Sequence, residues 1–180
     1  MPRYVAFLRA VNVGKRQLSM AQAREVLESD GFDGVESHIQ SGNLLVSTPL
    51  RSHTKVEAAI SGRLSDHAGF EIVTMVRTPR QLARLVEEVD GIPPALPDEA
   101  SRYVSFCLTE PTGERAAALE AWEAPGERAK VMGHDVLMEL SVPFHKVTLT
   151  GVRIERILGV PGTARNLTVV RALAQKWGDR

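Results

Sequence analysis

The chain holds one cysteine, Cys107, in 180 residues. An internal disulfide framework is therefore excluded, and the usage fits a reducing compartment. No apolar run approaches the roughly 18 residues that a membrane span requires. The N-terminal Met-Pro-Arg-Tyr enters a strand-like run directly, without the apolar core of a signal peptide. Cytoplasmic residence without membrane contact is the expectation. Formal net charge is zero, so bulk charge selects no partner. His38, His53, His67, His134 and His145 show neither HExxH nor Cys–His ligand spacing, and no metal is expected. Asn12-Val13-Gly14-Lys15 is too short for a P-loop, which needs two glycines and Lys-Ser/Thr at fixed spacing, and no cofactor is expected. Aromatic residues make up 5% of the chain, and the strand-like Leu44-Leu45-Val46 has none. The stacking platform of sequence-specific RNA readers is missing there. No carboxylate pair stands out: Asp30, Asp33, Glu87 and Glu88 read as helix ends or turns. A nucleophile–base–acid set is recognised by geometry, so the sequence leaves enzymatic activity open. It also leaves the oligomeric state open.

What is present is a globular composition. Hydrophobic residues are 43% of the chain, enough for a sizeable core, and the length suits one large domain or two small ones. Charge is segregated along the sequence. Residues 1–24 carry Arg3, Arg9, Lys15, Arg16 and Arg24 and no acid. Residues 141–180 carry Lys146, Arg153, Arg156, Arg165, Arg171, Lys176 and Arg180 against Glu155 and Asp179. The middle is strongly acidic. Basic ends that met in the fold would favour an anionic partner, whereas separate solvated helix faces would not.

Hydrophobic periodicity orders the first half as β-α-β-β-α-β. Tyr4 to Arg9 is strand-like, and Asn12 to Arg16 breaks it. Ser19 and Gln22 form a capping box before a helix marked by Met20, Ala23, Val26 and Leu27 and closed by Gly31. Val35–Ile39 and Leu44–Ser47 flank the turn Ser41-Gly42-Asn43 as a hairpin. A helix from about Ser52 carries Val56, Ile60 and Leu64, and Glu71–Val76 is a further strand. This order predicts an α+β, ferredoxin-like unit, an antiparallel four-stranded sheet with two helices on one face.

A second capping box, Thr78 and Gln81, opens a helix striped by Leu82, Leu85, Val86 and Val89. The proline-rich run from Asp90 to Asp98 fits neither a helix nor a central strand and reads as a linker. The domain expectation is a ferredoxin-like subdomain over 1–90, a linker over 91–101 and a smaller α+β subdomain over 102–180. The latter comprises a strand Tyr103–Leu108, a helix Thr112–Trp122, a hairpin around Gly133-His134-Asp135 and two closing helices. This half loosely echoes the first without reading as a duplication. Cys107 reads as inert core.

Three strings recur together as family signatures: Phe7-Leu8-Arg9-Ala10-Val11-Asn12-Val13-Gly14 with Met20, Ile39-Gln40-Ser41-Gly42-Asn43, and Arg165-Asn166-Leu167-Thr168-Val169-Val170. In this the chain resembles the DUF1697 family, widespread bacterial proteins of unknown function. The resemblance implies a two-part α+β structure with a ferredoxin-like first part, and no established activity. The chain departs from the usual family pattern at several places. Ala10 and Lys15 stand where glycines are usual, Leu167 replaces a tryptophan and Thr168 an asparagine. Pro143-Phe144-His145-Lys146 retains only the lysine of a small-residue–serine–lysine stretch.

In a ferredoxin-like unit the first and third strands are antiparallel neighbours, so the end of the first lies beside the start of the third. Arg9, Asn12, Gly14 and Lys15 are thereby expected to converge with Ser41, Gly42 and Asn43. Glycine lets backbone N–H groups approach a ligand, successive N–H groups form an anion nest, and Arg grips a carboxylate or phosphate bidentately. Lys146, Arg165 and Asn166, ahead of the last helix, complete the expected ligand set. The expected function is binding of an anionic, nucleotide-like ligand, or of nucleic acid through its phosphates. The alternatives are a small enzyme on a phosphorylated metabolite and a structural protein with no ligand site. In that last case Asn12 and Gly14 serve the turn, Ser41–Asn43 close a hairpin and Asn166 caps a helix.

Overall fold

The computed structural model describes residues 1–97 and 100–178. Asp98 of the proline-rich run, and Asp179 and Arg180 of the C-terminal charge cluster, lie outside the described residues. The elements are β1 (Arg3–Arg9), α1 (Met20–Ser29), β2 (Asp33–Ser37), β3 (Asn43–Ser47), α2 (His53–Ala68), β4 (Val73–Arg77) and α3 (Pro79–Gly91), then β5 (Ser101–Cys107), α4 (Gly113–Glu120), β6 (Glu127–Met132), β7 (Asp135–Leu140), α5 (Gly151–Leu158), β8 (Gly162–Asn166) and α6 (Leu167–Trp177). Two compact units result, one of residues 1–84 and 173–180, the other of residues 85–172. The division falls inside α3 and not in the expected linker, and the chain end returns to the first unit. The end of α3 is held in the second unit by Arg102, which donates to the Val89 and Ile92 carbonyls at 3.2 and 2.9 Å. The proline-rich run is tethered as well: Ala95 and Leu96 donate their N–H groups to Glu139, which also pairs with Arg102 at 2.7 Å.

In the first unit the sheet order is β2-β3-β1-β4, all antiparallel, which is the ferredoxin-like arrangement. Alternation along β1 sends Tyr4, Ala6 and Leu8 to the core that contains Leu27 of α1 and Ile60 of α2. Val5, Phe7, Leu45 and Met75 alternate with those residues and are buried too. The sheet therefore has no open face on which bases could stack. Both capping boxes form. Ser19 and Gln22 exchange hydrogen bonds at the start of α1, as do Thr78 and Gln81 at the start of α3.

The free edge of β4 is closed by polar side chains of α2. Val76, Thr74 and Ile72 donate their N–H groups to Glu57 Oε1, Ser61 Oγ and Ser65 Oγ at 3.0, 3.0 and 2.8 Å. Four helical residues advance about 6 Å and two strand residues about 6.7 Å, so the two rows keep pace. An edge that would otherwise template pairing is thereby satisfied within the unit. One atom is left out: the Thr74 hydroxyl is buried with no hydrogen-bond partner among the described residues. Thr74→Val keeps the shape and removes that unpaired group. It is expected to raise the urea-unfolding free energy by about 1 kcal/mol, and a loss of stability would show that the hydroxyl is paired after all.

The second unit repeats the topology. Its order β6-β7-β5-β8 is that of the first unit, strand for strand, and α4 and α5 occupy the places of α1 and α2. Its core gathers Leu119, Val136, Met138, Leu149, Ile154 and Leu158. The sequence reading has two helices closing the chain, but β8 lies between them. Gly162-Thr163-Ala164-Arg165-Asn166 lacks strand alternation because β8 is an edge strand whose buried side chain is Arg165. The same device recurs in β4 and β8, the last strand of each unit. Arg77 closes β4 opposite Val5, and Arg165 occupies the same place in β8 opposite Val104. Each is buried and donates Nη1 to the preceding carbonyl, at 2.8 and 2.9 Å.

Candidate binding surface

Two turns meet at one end of the first unit. Leu8 N–H donates to Gly42 O at 2.8 Å, which carries the β1–β3 pairing one step past Phe7 and Asn43. Asn12 then joins three segments. Its Nδ2 donates to Gln40 O at 3.0 Å, and its Oδ1 accepts the Leu18 N–H at 2.9 Å. Both functional groups of that amide are thus engaged in fixing the connection from β1 to α1 against the β2–β3 turn. Asn43, fully buried, donates to His38 O and Ser41 Oγ at 3.1 and 2.9 Å and shapes the second turn from inside.

The backbone of these turns is unusual. The described non-glycine residues with positive φ are Ala10 (56°), Asn12 (57°) and Ile39 (52°), all within them. Asn adopts this region readily, but a β-branched Ile is strained there, at a cost of order 1–3 kcal/mol. The sequence reading runs the second strand through Ile39. It stops at Ser37, because Ile39 turns left-handed and its side chain faces solvent. Gly42 (φ 79°) has no room for a side chain: a Cβ would lie 2.8 Å from Val11 and 2.9 Å from Leu8. Gly14 (φ 61°) is in open space.

Of the residues expected to converge, Arg9, Asn12, Gly14, Lys15, Ser41, Gly42 and Asn43 all belong to this end of the first unit. Asn12, Gly14, Lys15 and Ser41 are exposed, Arg9 is half-buried, and Gly42 and Asn43 are buried. Val13 and Ile39, which sequence reasoning did not single out, are 63% and 52% exposed. Neither carries a signal that separates it from an ordinary apolar turn residue or strand end. Arg16, also exposed, lies over the Phe70 ring at 5.7 Å.

Lys146, Arg165 and Asn166 belong to the second unit. Lys146 is exposed. Arg165 is only 8% exposed, and burial lowers its pKa to about 10, far enough above neutrality that the guanidinium stays charged. It donates to Thr163 Oγ1 at 2.8 Å. Asn166 accepts the Thr168 N–H at 2.9 Å and so caps α6. The other C-terminal cations are dispersed. Arg171 bonds Asp90, and Arg153 lies over the Trp122 ring at 5.0 Å. Lys176, in the first unit, stands 3.4 Å from Glu36, whose carboxyl is held below its ordinary pKa chiefly by the hydrogen bond from Trp177. No group of three or more potential metal ligands occurs among the described residues. No helix among them is long and apolar enough to cross a membrane.

These observations define a tandem α+β protein, two ferredoxin-like units of which the first carries the strained, paired turns. The chain belongs to the DUF1697 family: the model for that family, described as protein of unknown function, matches residues 1–137. The match includes both turns of the first unit and ends before the Arg165–Val170 string. The conserved bacterial protein SP0830 from Streptococcus pneumoniae has a similar structure, with a TM-score of 0.68 at 22% identity over 97% of each chain. That likeness is one of fold. No curated protein matches the chain.

Proposed function

We propose that the paired turns of the first unit form a binding surface for an anionic ligand, a nucleotide-like molecule or nucleic-acid phosphate. The observation that carries this reading is the contrast between the two units. In the second unit five residues, 108–112, join β5 to α4, and two, 133 and 134, join β6 to β7. The first unit uses ten residues, 10–19, and five, 38–42, for the same connections. The topology thus closes without the extra length, so the longer turns and their strained residues serve something besides the fold. Strain held by a surrounding network is a mark of functional segments.

The roles divide by chemistry. Asn12, Gly42 and Asn43 hold the turns in place, while Lys15, Arg16, Ser41 and the backbone about Gly14 face outward. Arg9 ends β1 beside them. Two cations, a hydroxyl and accessible N–H groups suit phosphate or carboxylate oxygens, and Val13 and Ile39 offer apolar contact to the remainder of a ligand. Cytoplasmic residence is consistent with this reading and with the one buried cysteine.

A thermal-shift screen with nucleotides, phosphosugars and inorganic tripolyphosphate tests the proposal. At least one polyanion is expected to raise the Tm of the natural chain. Lys15→Ala combined with Arg16→Ala should abolish that shift and change the ligand-free stability by no more than about 1 kcal/mol, the loss of the Arg16–Phe70 contact included. Absence of any shift, or equal shifts in the double variant, would refute the surface.

A further inference from the structure

The second unit has one long connection of its own, in a different place. Ten residues, 141–150, join β7 to α5, whereas five, 48–52, join β3 to α2 in the first unit. This excess is rigidly built. Ser141 N–H donates to Gly126 O at 2.8 Å where the connection leaves the sheet. At its far end the buried Glu127 carboxylate accepts the N–H groups of Thr148 and Leu149, each at 2.7 Å, and the Thr148 hydroxyl at 3.0 Å. Between these anchors Phe144–Lys146 form a 3₁₀ turn, closed by Lys146 N–H to Pro143 O at 2.8 Å.

That turn presents Phe144 at 84% exposure, the largest among the exposed large hydrophobic residues. Full exposure of such a side chain forgoes about 1.5–3 kcal/mol of burial, and here two anchors hold it out in water. It follows the exposed Pro143 and precedes two polar residues. His145 and Lys146 share the turn, and both are exposed. A single outward ring two residues from a lysine fits a partner that combines a flat, stackable group with negative charge. A membrane-surface anchor calls for the long apolar face of an amphipathic helix, which a three-residue turn does not supply. A duplex offers no unstacked base.

We propose that the Phe144–Lys146 turn is a contact site for single-stranded nucleic acid, with the Phe144 ring stacking on a base and Lys146 meeting an adjacent phosphate. Unpaired bases stack on aromatic side chains in a sequence-tolerant way, and cations follow the backbone. The site is independent of the paired turns in the first unit, which use other residues.

Fluorescence anisotropy with a labelled 20-nucleotide oligothymidylate, and with a duplex of equal length, tests this at low salt on the full chain. The natural chain should bind the single strand more tightly than the duplex, with affinity falling as salt rises. Phe144→Ala should weaken binding about ten- to a hundred-fold, the range of one base–aromatic stack. Phe144→Trp should retain affinity and gain fluorescence quenching on binding. Lys146→Ala should reduce the logarithmic salt slope by about 1. Phe144→Ala should keep the thermal shift that tripolyphosphate gives at the paired turns, which separates the two sites. Unchanged affinity in Phe144→Ala, no binding of oligothymidylate, or equal binding of duplex would overturn the assignment. So would Phe144-dependent binding to phosphatidylserine vesicles without binding to oligothymidylate.

Discussion

Glu127→Ala is expected to destabilise the protein by about 2–4 kcal/mol, the cost of leaving the donors that its carboxylate accepts without a partner. Glu127 is 1% exposed at the start of β6, and its oxygens accept three hydrogen bonds from Thr148 and Leu149. Truncation would strand the buried Leu149 N–H, leave the half-buried Thr148 N–H without its partner and release the far end of the 141–150 connection. The effect has a pH signature. Burial alone would raise the carboxyl pKa, but the bonds from Thr148 and Leu149 together outweigh it, and the group sits below its ordinary value. A carboxyl depressed in the folded state contributes stability that is present above its unfolded pKa. That contribution is lost as pH falls through the lower folded value. Glu127→Gln should accordingly be less stable than the natural chain at neutral pH, with the gap narrowing at an acidic pH below the ordinary carboxylate range as the natural carboxylate protonates. Urea titrations at the two pH values measure this, and a gap independent of pH would refute the carboxylate's role. Oligothymidylate binding by the folded Glu127→Gln protein reports whether the anchor also positions Phe144.

Gly42→Ala is expected to cost about 2–5 kcal/mol, combining the left-handed penalty of a Cβ with overpacking. The added carbon would have to displace Val11 Cγ2 at 2.8 Å and Leu8 Cβ at 2.9 Å, both of them buried. Neither is the end of a flexible chain, so the turn itself must move. Movement there would break the Leu8–Gly42 bond and the reach of Asn12 to Gln40, and the 10–19 connection would lose its support. Gly14→Ala supplies the control. Its φ of 61° carries the same conformational penalty, about 1–2 kcal/mol, but a Cβ meets nothing within 4 Å. The larger loss should therefore belong to Gly42→Ala, accompanied by faster proteolytic cleavage within residues 10–19. Equal losses at the two glycines would mean that the close packing of the turns is not what requires Gly42.

Much of the first unit was legible from residue order. The capping boxes at Ser19 and Thr78 state their helix starts locally, since the bonds they form span three residues. The hairpin turn at Ser41–Asn43 and the apolar spacing of β1, β3, α1 and α2 fix the strand and helix order. A ferredoxin-like order brings the β1–α1 and β2–β3 turns together, and they meet where it places them. Edge elements were less legible. β8 is paired on one side, to β5, so its residues are under little demand to alternate apolar and polar groups. The repeat of one topology in the second unit is for that reason visible in the strand order and not in the residues.

The sequence by itself determined the fold class, the family, the first unit's topology and the position of the paired turns, because these rest on local periodicity and short-range hydrogen bonds. Only the tertiary structure decided the work of individual polar groups. Asn12 holds Gln40 and Leu18, Glu57 closes a sheet edge, Arg165 is buried, and Glu127 anchors a connection some twenty residues away. A polar side chain reads the same in sequence whether it faces water or a buried N–H group. Which of the two it meets depends on partners that only folding brings within hydrogen-bonding distance.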